Sequence, residues 1–365
     1  MTTDAPSVLR QPAEVLYAAE LAALAADPGP RPPGWRLTPR AVRAFVVGDP
    51  ARGITTKFVG DDGLVDRCIV SLMGRQGLML VGEPGTAKSL LSELLAAAIS
   101  GTSSLVVQGS AGIIEDHLRY GWNYALLLNL GPKPEALVPS PVMSAMREGR
   151  IVRLEEITRC APEVQDVLIS LMSEKTIAIP ELGPHREERA SPGFNIIATA
   201  NLLDRGVHDM SSALKRRFNF ETVLPIANPA HERDLVARQV AERMAAEPDA
   251  ATPAPDVIDL IVTVFRDLRT GRLADGATVA SPKAVMSTAE AVNVTHAALL
   301  DATYLDRGPV SGRHLARQLR GVVFKDDPDD ARKLKAYIDI VARDRAGRSS
   351  VWKDFFREAQ AISRE

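Results

Sequence analysis

Short apolar runs alternate with amphipathic stretches through the middle of the chain, from about Phe58 to Pro225. That rhythm predicts an α/β fold, a parallel sheet covered by helices on both faces. Strands are expected at residues 78–81, 105–108, 151–154, 194–199 and 222–225. A helix at 162–173 places Val164, Val167, Leu168, Leu171 and Met172 on one stripe, which packs on the sheet. Two segments break the rhythm. One runs from Tyr120 to Val138, and the other, from Thr176 through a charged turn at His185–Arg189, reads as a projecting β-hairpin.

On either side of this core the pattern is helical only. A helix over 13–26 ends where a run of prolines and glycines over 27–34 cannot continue it. A second, over 38–47, has Thr38 as N-cap and Pro39 in its first turn. Leu21, Leu24, Trp35, Phe45 and Val46 give this segment apolar surface to bury, so it is expected to pack, not to trail. Beyond Pro229 strands cease, and helices are expected at 230–245, 255–269, 282–300 and 312–324, with a last pair running to the C-terminus. The expected organisation is an accessory helical segment over 1–50, an α/β core over 51–226, a smaller all-helical domain over 227–303 and a helical extension over 304–365.

The strongest chemical signal sits where the first strand stops. After Leu78-Met79-Leu80-Val81 comes Gly82-Glu83-Pro84-Gly85-Thr86-Ala87-Lys88-Ser89, a strand, a glycine-containing turn and a helix start. Backbone N–H groups of such a loop and the positive end of the following helix form a cradle for phosphate oxygens. Lys88 is placed to reach the β- and γ-phosphates of a nucleotide and the Ser89 hydroxyl to bind Mg²⁺. The pattern G-x-x-x-x-G-K-[ST] is met with one departure, Ala87 in place of the second glycine. A residue opening a helix has negative φ, so the methyl group is expected to cost little, whereas Gly85 needs its freedom inside the turn.

Three further signals stand at strand ends. Glu155-Glu156 closes an apolar strand, and a carboxylate pair beside a phosphate loop can hold hydrated Mg²⁺ with one group and polarise the attacking water with the other. Glu155 takes the metal role, through water, and Glu156 that of general base; Arg153, two residues earlier on the same strand face, is an alternative partner for Glu155. Asn201 comes just past the buried strand expected at 194–199, where an amide can bond both the γ-phosphate and the catalytic water. Arg216-Arg217 precede Phe218, and guanidinium groups there can stabilise charge on a transferring phosphoryl group, most simply that of a neighbouring subunit.

Composition narrows the classes. The 365 residues are 45% hydrophobic and 25% charged, with Lys+Arg 44 against Asp+Glu 46. That balance speaks against a nucleic-acid-coating or membrane-surface protein. The two cysteines, Cys68 and Cys160, lie in no zinc-like or disulfide spacing and read as buried small hydrophobes. With no apolar run of membrane-spanning length and no signal-peptide pattern at the N-terminus, a cytoplasmic protein is expected.

The order of loop, acidic pair, Asn after a strand, Arg-Arg-Phe and then a helical lid resembles the AAA+ ATPases, and specifically the MoxR family. Ala87 before Lys88, Glu156-Ile157-Thr158-Arg159, Val164-Gln165 and Ser281-Pro282-Lys283 are similar to that family's motifs. The resemblance implies an AAA+ P-loop αβα core with a helical lid, binding ATP with Mg²⁺. Gly82–Ser89 would be the Walker A loop, Glu155 and Glu156 the Walker B pair, Asn201 sensor 1, Arg216 and Arg217 arginine-finger candidates, and Lys283, opening a lid helix, sensor 2. Val59 and Gly60 would place backbone around adenine. Glu155 stands where the family has Asp and Lys283 where it has Arg, and a lysine cannot fork onto phosphate oxygens. The two insertions correspond to segments that face the central pore of a ring, and Trp122 and Tyr124 either touch a client or fill the hairpin's own core. The family implies a hexameric, chaperone-like remodelling ATPase that works on a protein partner, often one with a von Willebrand factor A domain. An ATP-dependent switch with low turnover and a nucleic-acid motor are the alternatives, the latter disfavoured by the absence of a basic extension.

Overall fold

The computed structural model describes residues 10–201, 208–245, 247, 251–284, 286–323 and 327–362. The chain divides into two compact units, Met1–Glu83 with Ala87–Val223, and Leu224–Glu365 with Pro84–Thr86.

Nine strands lie among the described residues of the first unit: β1 (Gly77–Val81), β2 (Val106–Gln108), β3 (Tyr120–Trp122), β4 (Leu137–Pro139), β5 (Ile151–Glu155), β6 (Thr176–Ala178), β7 (Glu187–Arg189), β8 (Asn195–Ala200) and β9 (Phe218–Thr222). Five form a wholly parallel sheet in the order β2-β5-β8-β1-β9. The central strands β1, β5 and β8 are buried at every position, as parallel strands covered on both faces must be. In register, Val81 lies beside Ala200 and Leu154 beside Ala198, so these strands deliver their carboxyl ends to one edge. The expected fifth strand at 222–225 forms instead over Phe218–Thr222. There β9 is the edge strand of the sheet, in which Phe218 alone is buried and Phe220 is exposed, and the apolar Val223-Leu224 lies just past its end.

Two apolar clusters flank the sheet. One, built around the helices Pro39–Val47, Asp62–Met73 and Lys88–Ser100, includes Leu24, Trp35 and Phe45, so the N-terminal segment belongs to the core of this unit. The expected single helix over 13–26 is two, Ala13–Leu16 and Ala18–Leu24, broken at Tyr17. Tyr17 is drawn edge-on to Phe45, and the Lys57 ammonium, buried and paired with Glu20, lies over both rings. Tertiary contact overrides an Ala- and Leu-rich helical run. Thr38 caps the helix Pro39–Val47 by accepting from the Ala41 N–H, as expected. Both cysteines are buried, and desolvation pushes the Cys68 thiol up to about 12.

The insertions form two antiparallel hairpins. β6 and β7 make the charged one. β3 and β4 make the other, enclosing a short helix, Tyr124–Leu130, in which no residue is buried. Trp122 packs edge-on to Tyr120, whereas Tyr124 and Leu128 point outward, so only the first of the two aromatic candidates fills the hairpin's own core.

The second unit is helical, with Pro229–Met244, Pro255–Thr270, Thr288–Leu300, Gly312–Val323, Pro328–Tyr337 and Ser350–Ile362 as its main elements. One apolar cluster runs from Val236 to Ala359, so the boundary expected at 303/304 is not a break in packing. Buried Asp267 accepts from the Tyr337 hydroxyl and the Arg345 guanidinium, each at 2.8 Å, which ties the helix Pro255–Thr270 to the C-terminal helices. The helix expected from Pro282 starts at Thr288 instead. Ser287 caps it by accepting from the Glu290 N–H, and the Glu290 side chain accepts from the Ser287 N–H. Among the described residues no helix is long and apolar enough to cross a membrane.

Candidate functional site

The loop after β1 bends as a phosphate cradle requires. Gly82 and Gly85 have φ of 155° and 76°, and Ala87 has φ of 67°. The freedom expected of Gly85 is therefore used. Ala87, contrary to the negative φ expected of it, caps the helix Lys88–Ser100 in the left-handed region, where a methyl group costs about 1–2 kcal/mol. We therefore expect Ala87→Gly to stabilise the nucleotide-free protein by about 1 kcal/mol and Ala87→Val to destabilise it, as read by denaturant unfolding.

Lys88 is buried, and its ammonium donates to the carbonyls of Gly82 and Glu83 at 3.0 and 2.7 Å. The side chain thus curls back over the loop that precedes it, where a phosphate would lie. Ser89 donates its hydroxyl to Glu155 Oε2 at 2.7 Å. This bond joins the start of the helix to the end of β5, 66 residues away in sequence, and brings the two expected metal-binding side chains together.

Glu155 sits in a dense polar network. Oε2 also accepts from Thr199 Oγ1 at 2.8 Å, and Oε1 accepts from Ser92 Oγ and Arg153 Nη2, both at 2.7 Å. Burial alone would push this carboxyl up. The Ser92 bond, the Arg153 charge and the Ser89 and Thr199 bonds outweigh burial and hold it below the ordinary glutamate value, so it stays ionised. The alternative partner weighed for Glu155, Arg153, is indeed bonded to it. Ionised carboxylate and hydroxyl oxygens are the hard donors that magnesium prefers, and they fit it here.

Glu156 follows in the left-handed region, with φ of 54°, a strained conformation for glutamate. Its N–H donates to Thr199 Oγ1 at 3.0 Å, and its half-buried carboxylate pairs with Arg159 at 2.5 Å. Thr199 thereby links both acids to β8. Asn201, just past β8, is buried at the same sheet edge. In open α/β sheets this edge, beyond the carboxyl ends of the strands, is where ligands bind.

The remaining expected residues lie apart. Val59 is half-buried and Gly60 exposed, in the segment leading to the helix Asp62–Met73. Arg217 is tied to its own surroundings, donating to Ser173 Oγ and the Ala213 carbonyl at 3.0 Å each. Arg216 is exposed, and its guanidinium bonds no described residue. Lys283 belongs to the second unit, outside any helix, and its ammonium pairs with Asp327 at 2.8 Å.

Three contributors were missed in the sequence. Ser92 lies three residues past Ser89 and so on the same helix face, which was a usable signal. Thr199 was the one hydroxyl in an otherwise apolar strand core. Gly109 had no signal: the loop after β2 runs so close to the acidic pair that a Cβ there would lie 2.3 Å from the Glu156 carbonyl.

This sheet, loop and acidic strand end define a P-loop nucleotide-binding fold of the AAA+ class. The family described as "AAA domain (dynein-related subfamily)" matches residues 77–218, the "YehL-like AAA+ ATPase C-terminal domain" matches 230–363, and the "MoxR domain in the MoxR-vWA-beta-propeller ternary systems" matches 47–106. YehL of Escherichia coli strain K12 is 51% identical over 336 residues, 90% of this chain and 91% of its own. Chaperone MoxR1 of Mycobacterium tuberculosis is 28% identical over 181 residues, 49% of this chain and 44% of its own. Among solved structures, the Thermotoga maritima RuvB Holliday junction branch migration motor is similar with a TM-score of 0.44 at 16% identity, over 78% of each chain. The chain belongs to the MoxR family of AAA+ ATPases, and over nine-tenths of its length it is YehL-like.

Proposed function

We propose that this protein hydrolyses ATP with Mg²⁺ and uses the cycle, as a hexameric ring in the cytoplasm, to remodel a partner protein. The observation that carries the reading is the 2.7 Å bond between Ser89 and ionised Glu155 directly beneath the phosphate loop and Lys88. In this reading the loop amides and Lys88 hold the phosphates, while Ser89 and, through water, Glu155 hold the cation. The cation neutralises charge building on the transferring phosphoryl group. Glu156 accepts the proton of the attacking water, and Asn201 orients that water against the γ-phosphate. Val59 and Gly60 line the adenine side. Arg216, whose exposed guanidinium bonds no described residue, is the better candidate to reach a neighbouring subunit's nucleotide; Arg217 is held by Ser173.

The MoxR match supports a chaperone-like role, and its description points to a partner carrying a von Willebrand factor A domain. A low-turnover switch is the second reading. It is favoured by the two acids being occupied by arginines, Glu155 by Arg153 and Glu156 by Arg159. ATP binding and steady-state hydrolysis by the wild type and Lys88→Ala test the proposal. Magnesium-dependent turnover that Lys88→Ala abolishes is expected. Equal turnover by both proteins would remove the site, and binding without turnover would leave the switch.

A further inference from the structure

Arg153 takes no part in the chemistry just proposed, yet it is only 8% exposed and every arm of its guanidinium is used. Nη2 donates to Glu155 Oε1 at 2.7 Å and to the Ser89 carbonyl at 3.1 Å. Nε donates to Ser92 Oγ at 2.9 Å, and Nη1 to the Ser103 carbonyl at 3.2 Å. Ser92 in turn reaches Glu155 Oε1 at 2.7 Å, with the Ser89 carbonyl at 2.9 Å as the other acceptor for its proton. The two oxygens of Glu155 are therefore unlike. Oε1 faces Arg153 and Ser92, while Oε2 faces Ser89 and Thr199.

A glutamate has one more rotatable bond than an aspartate, and a carboxylate with a free rotor would not hold one oxygen against Ser89. Two donors converge on Oε1, Nη2 of Arg153 and the Ser92 hydroxyl that Nε of the same planar guanidinium fork holds, and together they remove that freedom from one side. The Arg153 contacts to the Ser89 and Ser103 carbonyls fix the fork itself to backbone. We propose that Arg153, acting with Ser92, is a positioning residue that anchors Oε1 of Glu155 so that Oε2 is presented to Ser89 and to the cation that accompanies the nucleotide. This rests on the nucleotide-binding reading of the site. It also explains how a longer acid serves at this position.

Two effects of the guanidinium on the cation oppose one another. As a positive charge it weakens the pull of Glu155 on magnesium; as an anchor it strengthens the hold by fixing geometry. The sign of one measurement separates them. Mg²⁺ is titrated against equilibrium binding of a fluorescent ADP by the full chain, and kcat and KM for ATP are measured alongside. Arg153→Met is expected to raise the Mg²⁺ midpoint about tenfold or more and to lower kcat by a similar factor. KM for ATP should stay within about twofold, since the phosphate cradle is untouched. Arg153→Lys, which keeps the charge but not the fork, recovers part of both losses.

Ser92→Ala changes no charge and suits its helix, so it guards against a misfolded arginine variant. It should shift the midpoint the same way by a smaller factor. A lower midpoint in Arg153→Met makes Arg153 a counter-charge only and overturns the proposal, as does an unchanged midpoint in both Arg153→Met and Ser92→Ala. Wild type that binds no ADP at any magnesium concentration would instead bring down the nucleotide reading, and this proposal with it.

Discussion

Glu156→Gln is expected to cut ATP turnover by about 10²–10⁴-fold while leaving ATP bound, the usual loss when a general base goes but the binding site stays. Glu156 stands one residue beyond the metal-side acid, in a left-handed turn held by the hydrogen bond from its N–H to Thr199 Oγ1 and packed closely against the loop of Gly109, whose N–H donates to the Glu155 carbonyl. That turn sends its side chain away from the Glu155 network, toward Arg159. A base must leave that ion pair to reach water, and apo geometry of this kind tightens only with substrate present. Single-turnover hydrolysis and the nucleotide retained after gel filtration check both halves of the expectation. Turnover within about tenfold of wild type would mean that the Arg159 pair is structural and that the base lies elsewhere.

How much of this was legible follows the range of the interactions. The phosphate loop, Glu155-Glu156 and Asn201 could be read because each is a local pattern: an apolar run and, at its end, the chemistry. The sheet's carboxyl edge then gathers them, and a parallel sheet makes that gathering nearly automatic. What escaped depends on groups distant in sequence. Ser92 and Thr199 complete the Glu155 shell from a helix and a strand 63 and 44 residues away, and only packing brings them in.

Ala87 escaped for a different reason. Its identity satisfied a helix-opening argument, but after Gly85 the backbone returns to the left-handed region at Ala87, and the helix opens only at Lys88. The helix start at Thr288 was readable as Ser287 with Glu290 three residues on, but Pro282, an attractive first-turn residue, pointed earlier. At 303/304 the helical pattern suggested an appendage. Asp267, Tyr337 and Arg345 instead form one buried polar cluster across it. Desolvation raises the Tyr337 hydroxyl well above its ordinary pKa, so it remains a donor to Asp267.

The second unit carries its own large expectation, at Glu232. This carboxyl side chain is 0% exposed, and it is held by Arg269 at 2.9 and 3.0 Å, by Arg266 at 3.3 Å and by the Thr288 hydroxyl at 2.7 Å. Arg269 also donates to the Met286 carbonyl at 2.9 Å, so the cluster fixes the segment leading into the helix Thr288–Leu300 against the helices Pro229–Met244 and Pro255–Thr270. Replacing both sides of such a cluster with apolar groups can be neutral, but removing one side leaves charge buried without its counterpart. Glu232→Ala therefore is expected to cost about 3–5 kcal/mol, with two guanidinium groups stranded. Glu232→Gln, which keeps an acceptor and loses the charge, should cost less, and Arg266→Met, at the longer and more exposed contact, less again. Calorimetry across the three variants reads the order directly, and a loss under about 1 kcal/mol for Glu232→Ala would mean that the apolar cluster from Val236 to Ala359 holds these helices without it.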